Sequence, residues 1–491
     1  MQKTCKMREY SLRNRRQFLG QLSTGIGSLA LGSLLAAEEA LPRASHQPVN
    51  FDPTRPNFPR AAHFAPKAKS VIFIHMVGAP SPLDTFDYKP LVQKLDGQPV
   101  PKSFREAVEK TRFRNVFVDC RDIMGSPFAF RQYGQSGMHL SELFPHLAGQ
   151  VDELCFIHSM QADSNNHAPA CYQMHTGETT VGKASLGSWV TYGLGSMNQD
   201  LPAYVLLFES GPFGGAGNYT NGFLPAAFQG TRLRSEGAAV LDLLPPDAYA
   251  TGQRSSLDLL QKMNQKHRSS RPLFSEFDAR IASYELAYRM QTAALEVGEL
   301  EKESARTQTD YGVDHADLQL AKFARKCLMA RRLVERGVRF VQLYNMYDGN
   351  GWDAHVGLPE NHRRLALQSD QPIAALLTDL KQRGLLDETL VVWGSEFGRT
   401  PMMQNEFGRQ HNAGGFTLWM AGGGTRPGRI GATDELGILA TDTPSSFADL
   451  HATILAAMGI DNRQLVYPFA GRDERLTGIT DTAVVIPGVL G

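Results

Sequence analysis

The apolar positions of this chain fall into short unbroken runs separated by stretches of helical periodicity. Ser70 to Val77 is a nearly continuous apolar run that stops at Gly78, as a strand buried on both faces requires. Val338 to Tyr344 and Thr389 to Trp393 predict two more strands. Between those two, residues 360–383 place Leu365, Leu367, Ile373, Leu376, Leu377 and Leu380 near helical spacing and end at Gly384, which predicts a helix closed by glycine. The strand, helix, strand order predicts an α/β domain: a mostly parallel central sheet flanked by helices on both faces. In open sheets of that kind, ligands collect in the loops beyond the carboxyl ends of the strands.

Residues from about 230 to 337 have a different texture. Phe274, Phe277, Ile281, Tyr284, Leu286, Tyr288 and Met290 recur with helical periodicity among polar residues, and Glu296 to Arg306 is a charged run, the mark of a solvated helix face. This region is expected to be a helical insertion, either covering the site or forming an oligomer contact. Phe208 to Phe228 is expected to be a long loop.

The N-terminus changes the picture of where the chain works. Arg15 and Arg16 precede Phe18, Leu19 and a Gly/Ser-rich apolar run from Leu22 to Ala37, a stretch too short and too rich in glycine to span a membrane. The pattern predicts a twin-arginine export signal over residues 1–40 and a periplasmic or otherwise exported protein. A Pro-rich linker (41–66) follows, then one domain (67–491) carrying the insertion. No stable membrane span is expected after signal removal. Lys plus Arg equals Asp plus Glu at 50 each, leaving no basic excess to hold a nucleic-acid backbone. Of five cysteines, four lie beyond the leader, widely spaced and without a Cys-x-x-Cys pair; they read as small buried side chains.

Four segments concentrate metal-ligand and hydrogen-bonding residues: Ser81 to Asp87 with Asp84; Asn165, Asn166 and His167 leading to Gly177; Asp348 to His355 with Asp353; and Ser395, Glu396 and Phe397 through to His411. Carboxylates and imidazoles from separate strand-end loops can converge on a divalent cation, which lowers the pKa of water and polarises a phosphoryl or sulfuryl oxygen. No Gly-x-Gly-x-x-Gly follows a strand, so dinucleotide redox chemistry has little behind it. His75, His139, His158 and His175 read individually as packing or surface residues.

The stretch from His167 to Gly177, with Pro two residues after His167 and Gly ten after it, resembles the helix-start motif of sulfatases, phosphodiesterases and their alkaline-phosphatase relatives. Leu385 to Gly398 resembles a second motif of that superfamily. With Gly-Trp-Asp-Ala ending at His355 and Glu-Phe-Gly-Arg-Thr ending at Pro401, the chain from about Lys69 to Leu455 resembles the bacterial DUF1501 family, grouped with that superfamily. The resemblance implies an alkaline-phosphatase/sulfatase-like fold and carries roles onto residues. His167 falls on the nucleophile position, Glu396 on an aspartate ligand, Phe397 on a histidine ligand and His411 on the late histidine ligand. Asp353 and His355 match an Asp and His pair, with Asp348 a competitor, and Asp84 matches the carboxylate after the first strand.

These matches imply a metal-dependent hydrolase-like protein acting on phosphate or sulfate esters, whether small molecules or polysaccharides. Asp353, His355 and His411 are expected to hold one cation (zinc, calcium, magnesium or manganese), and Glu396, Asp84 and His167 a second or vestigial site. His167 and Asn166 are the expected catalytic groups, the Asn165 and Asn166 amides stabilising anionic oxygens. The alternative is a binding or assembly protein of the cell envelope on a scaffold whose catalysis has decayed.

Overall fold

The computed structural model of the chain describes residues 49–491, except 53–54, 238, 241–243, 245–251, 270–274 and 347–348. The expected leader and Asp348 lie outside the described residues. Strands β1 (Ser70–His75), β2 (Leu154–Gln161), β3 (Tyr204–Leu207), β4 (Thr231–Leu233), β5 (Phe340–Tyr344), β6 (Thr389–Gly394), β7 (Phe416–Ala421), β8 (Gly428–Ile430) and β9 (Ser445–Ser446) form one nine-stranded sheet. Its order is β8-β2-β7-β6-β1-β5-β3-β4, with β9 also beside β2. Every pairing is parallel except the two made by β7. β1 lies at the centre, in register with β5 and β6, which explains why its sequence is apolar on both faces.

Side chains of successive strand residues point to opposite faces, and the two faces are covered separately. Ile72, Ile74, Val341, Leu343, Val391 and Trp393 enter a core with helices α3 (Leu318–Glu335) and α4 (Leu358–Gln382). Val71, Phe73, Val77, Leu390 and Val392 enter a second core with α1 (His167–Thr176), α2 (Leu186–Leu194) and α5 (Phe447–Ala457). The mostly parallel sheet with helices on both faces is therefore as the periodicity predicts. Burying each Leu, Ile or Phe side chain stabilises the fold by about 1.5–3 kcal/mol.

The 230–337 region is helical, but its ends belong to the domain core. It begins with a strand of the sheet, β4. It ends with α3, which buries Phe323, Ala324, Cys327, Leu328 and Leu333 beneath the sheet. Asp317 caps α3 by accepting from the backbone N–H groups of Gln319 and Leu320, satisfying donors a helix start leaves open. The added helices are Gln253–Ser269, Ser275–Gly298 and Ala305–Tyr311. Cys155, Cys171 and Cys327 are buried free thiols and Cys120 is half-buried, in line with the sequence reading. No helix among the described residues is long and apolar enough to cross a membrane.

Candidate metal centre

At the carboxyl edge of the sheet, five chain segments bring ionisable side chains together. β1 ends in His75 and turns sharply through Gly78 and Ala79, both at positive φ (103° and 64°). Backbone of this kind persists where surrounding contacts hold it. Arg399 supplies those contacts, donating from Nη2 to Gly78 O and from Nε to Ala79 O. β6 runs into Ser395 and Glu396. The loop after β5 carries Asp353 and His355. His167 is the first residue of α1, whose end is set by Gly177 at φ 83°. His411 comes from a hairpin between β6 and β7, strands Gly398–Gln404 and Gly408–Asn412, and the register shifts between Arg409 and His411. A bulge of this kind re-aims a side chain.

Asp353 is the hub. Its Oδ1 lies 2.5 Å from Arg399 Nη2, 3.0 Å from His355 Nε2 and 3.1 Å from His411 Nε2. Its Oδ2 lies 3.2 Å from His167 Nε2. That last contact is ionic in distance but lacks hydrogen-bond geometry, and His167 Nε2 is a buried nitrogen without a hydrogen-bond partner. The His167, Asp353 and His411 side chains are only 12–13% exposed and His355 is 32% exposed, so the cluster opens to solvent on the His355 side. His167 is sandwiched by aromatic rings, stacked on Phe213 at 4.4 Å and beside Phe397 at 4.8 Å.

The outer nitrogens of the three rings fix which nitrogen faces inward. His411 Nδ1 donates to the backbone carbonyl of Asn165 at 2.7 Å. His355 Nδ1 faces Gln404 Oε1 at 2.5 Å, and His167 Nδ1 faces Glu396 Oε1 at 2.5 Å. Each of these oxygens accepts, so each Nδ1 carries a proton. Burial, opposed by the Asp353 hydrogen bond, pushes the His411 pKa down to about 4. Its Nε2 lies 3.1 Å from Asp353 Oδ1, so in the neutral ring that burial favours the Nε2 lone pair faces a carboxylate oxygen, a contact that a cation between them would relieve. Burial also lowers the His167 pKa, but the close contacts and charges of Asp353 and Glu396 outweigh it and the net direction is upward. Burial raises the Asp353 pKa, and the close contacts of His167, His355 and His411 with the Arg399 charge overcome it, holding Asp353 ionised.

Glu396 is fully buried and its acceptor positions are filled by protein. Oε1 accepts from Gly78 N at 3.0 Å and from His167 Nδ1. Oε2 accepts from His75 Nε2 at 2.9 Å and Ser395 Oγ at 2.5 Å. Burial raises its pKa, but these donors reverse the shift and hold it well below the usual carboxylate value. A buried carboxylate is tolerated only when satisfied in this way. His75, Cys171 and Glu396 also lie close enough to share a cation. The Cys171 thiol, however, is driven well above 9 by burial and the Glu396 charge, so it stays protonated and a poor ligand.

Of the expected site residues, the structure brings His167, Asp353, His355, Glu396 and His411 into one cluster. Asn166 stands at its rim as the exposed residue preceding α1, its side chain making no capping bond. Asp84 is elsewhere and belongs to neither close group of possible ligands among the described residues. It forms a fully buried two-point ion pair with Arg409, at 2.6 and 3.2 Å. Burial raises the Asp84 pKa, and the Arg409 charge and hydrogen bond bring it below its ordinary value. The short helix Pro82–Thr85 turns Asp84 into the protein after β1. Sequence reasoning missed Arg399, which had only the neighbouring Glu-Phe-Gly to signal it. It also treated His75 and His175 as isolated packing residues.

Three comparisons bear on this chain. A sequence profile described as "Protein of unknown function (DUF1501)" matches residues 68–489. No curated protein matches it. Among solved structures, the chain overlaps the lipoteichoic acid synthase LtaP from Listeria monocytogenes at 9% identity and TM-score 0.35, covering 89% of this chain and 80% of that one. It overlaps a protein in the alkaline phosphatase superfamily from Vibrio parahaemolyticus at 11% identity and TM-score 0.35, covering 87% and 77%. The PsFucS1 sulfatase from Pseudoalteromonas sp. overlaps at 10% identity and TM-score 0.34, covering 80% and 68%. Likeness at this level says nothing about what this chain does.

Proposed function

The chain belongs to the DUF1501 family, a family named for having no assigned activity, and from its own residues we propose an exported, metal-dependent, hydrolase-like protein acting on phosphate or sulfate esters. One divalent cation is held by Asp353 and by Nε2 of His167 and His411, whose ligand atoms lie within 4.8 Å of one another, with His355 Nε2, 3.0 Å from Asp353 Oδ1, closing in as the fourth ligand. The observation that carries this reading is the convergence of His411 Nε2 and the unpartnered His167 Nε2 on the one Asp353 carboxylate. Three imidazoles and one carboxylate suit zinc or manganese better than calcium or magnesium, which favour oxygen ligands. Glu396, Asn165 O and Gln404 stand behind the three rings as the acceptors that orient metal-bound histidines.

When bound, such a cation supplies Lewis acidity and lowers the pKa of water. The residues around it do the rest. Phe213 and Phe397 exclude water from the His167 face. The α1 N-terminus begins at His167 itself, and with the Asn165 and Asn166 amides it offers donors to anionic oxygens. Arg399 ties the Asp353 carboxylate to the Gly78–Ala79 turn. The twin-arginine pattern supports export, and the strand-end motifs support an ester substrate.

One observation favours the rival reading, a binding or assembly protein. Among the described residues of the cluster there is no available protein nucleophile: Glu396 is saturated, the Cys171 thiol is buried and protonated, and His167 faces two carboxylates. The readings separate by loading the mature protein with zinc or manganese and assaying a panel of phosphate and sulfate esters. Turnover abolished by His411→Ala supports the hydrolase; stoichiometric metal without turnover supports the binding protein.

A further inference from the structure

Behind Glu396 runs a buried chain of hydrogen bonds that the metal ligands do not use. His75 Nε2 lies 2.9 Å from Glu396 Oε2, and His175 Nε2 lies 2.9 Å from His75 Nδ1. Gln342 Nε2 lies 3.0 Å from His175 Nδ1. Gln342 Oε1 accepts from Tyr204 Oη at 2.5 Å, and its Nε2 reaches Tyr344 Oη at 2.5 Å. None of His75, His175, Gln342, Tyr204 and Tyr344 is more than 2% exposed. The sheet builds this line: Phe73 is opposite Gln342 and His75 opposite Tyr344 in the β1/β5 register, and His175 lies on α1, the helix that begins at His167.

Such a chain has a direction. The amide nitrogen can only donate, so His175 Nδ1 must accept and its proton sits on Nε2. That proton is given to His75 Nδ1, which leaves the His75 proton on Nε2, facing the carboxylate. Burial, with His75 and His451 nearby, holds His175 neutral, so this ring carries a single proton. The reverse order, with the amide flipped, would either put a His75 lone pair 2.9 Å from an anionic oxygen or demand a second proton on this fully buried ring. We propose that Gln342 is a positioning residue: its amide sets the tautomers of His175 and His75, so that His75 donates to Glu396 and Glu396 in turn holds His167. The consequence for metal affinity rests on the metal reading above, whereas the tautomers do not.

The test uses zinc-loaded and zinc-free full-length mature protein with 15N-labelled histidine, the ring tautomers read by two-bond proton–nitrogen correlation and His75 and His175 assigned by substitution. Both rings are expected to carry their proton on Nε2. In Gln342→Glu, the hydroxyls of Tyr204 and Tyr344 can both donate to the new carboxylate, which can only accept from His175. The chain then reverses and His75 carries its proton on Nδ1. The zinc dissociation constant should rise about tenfold or more in Gln342→Glu, which reverses the chain, and by a clearly smaller factor in Gln342→Met, which removes the amide without reversing it. A wild-type His75 protonated on Nδ1 overturns the proposal. So does a Gln342→Glu protein with unchanged tautomers, or an equal loss of zinc in both variants. Absence of zinc binding by the wild type overturns the metal reading and leaves the tautomers to decide this one.

Discussion

Glu396 holds His167 by one ring nitrogen and frees the other: Nδ1 stands 2.5 Å from Glu396 Oε1 while Nε2 turns towards Asp353. In the proposed centre this relationship makes Glu396 an orienting group rather than a ligand. His411→Ala and His167→Ala should therefore abolish stoichiometric metal. Glu396→Gln keeps the size of the side chain but places an amide donor against existing donors. It should weaken metal binding by about 10–100-fold without changing the number of metals bound. Isothermal titration with zinc measures both effects.

Metal binding should depend on pH through His167. Its pKa in the metal-free fold lies above the ordinary histidine value because the close contacts and charges of Asp353 and Glu396 outweigh burial. A cation must displace that proton, so affinity should rise with pH by about tenfold per unit below the folded pKa and level off above it. The stability of the metal-free protein runs the other way. A raised histidine pKa adds stability that is fully present below the unfolded value and lost as pH rises through the folded one. Thermal melts across pH 5–9, with and without zinc, should therefore diverge as pH rises.

The Asp84–Arg409 pair is structural. Both side chains are fully buried, and removing one partner leaves the other charge unpaired. Asp84→Ala should destabilise the fold by about 3–5 kcal/mol while the folded fraction keeps its metal. Denaturant melts and metal analysis of the same samples check this. Loss of metal at unchanged stability would restore Asp84 to the ligand set.

Gly78 holds the Asp353 loop close. A Cβ there would meet Asn350 O at 2.5 Å and the backbone nitrogens of Trp352 and Asp353 at 2.6 Å, and its φ of 103° disfavours any side chain. Gly78→Ala should displace Asp353. It should cost roughly 1–3 kcal/mol in strain, read by thermal unfolding, and weaken zinc binding together with it.

The fold was legible in the sequence where the pattern is extreme. β1, β5 and β6 are buried on both faces, so their apolar runs could be found without any partner, and the helix between β5 and β6 kept its periodicity. The 230–337 region was harder, because Thr231–Leu233 is too short to signal a strand and the polar helices beside α3 masked its core face. In the site, His167, Asp353, His355, Glu396 and His411 share strand-end placement, and that common position is what the sequence could show. Direction was invisible: Asp84 follows β1 at the place of a ligand, yet Pro82 starts a helical turn that aims it at Arg409. The buried line from Glu396 to Gln342 depends on β1/β5 register, which no single segment reveals.

The account rests on one cation held by three imidazole nitrogens and the Asp353 carboxylate, with Glu396 outside the ligand set. X-ray absorption fine structure of the zinc-loaded mature protein tests this most directly. The account predicts one zinc per chain, with imidazole scattering from three histidines at about 2.0 Å and the same ligand shell in Glu396→Gln. Two zincs per chain, or a shell that loses an oxygen in Glu396→Gln, would contradict it.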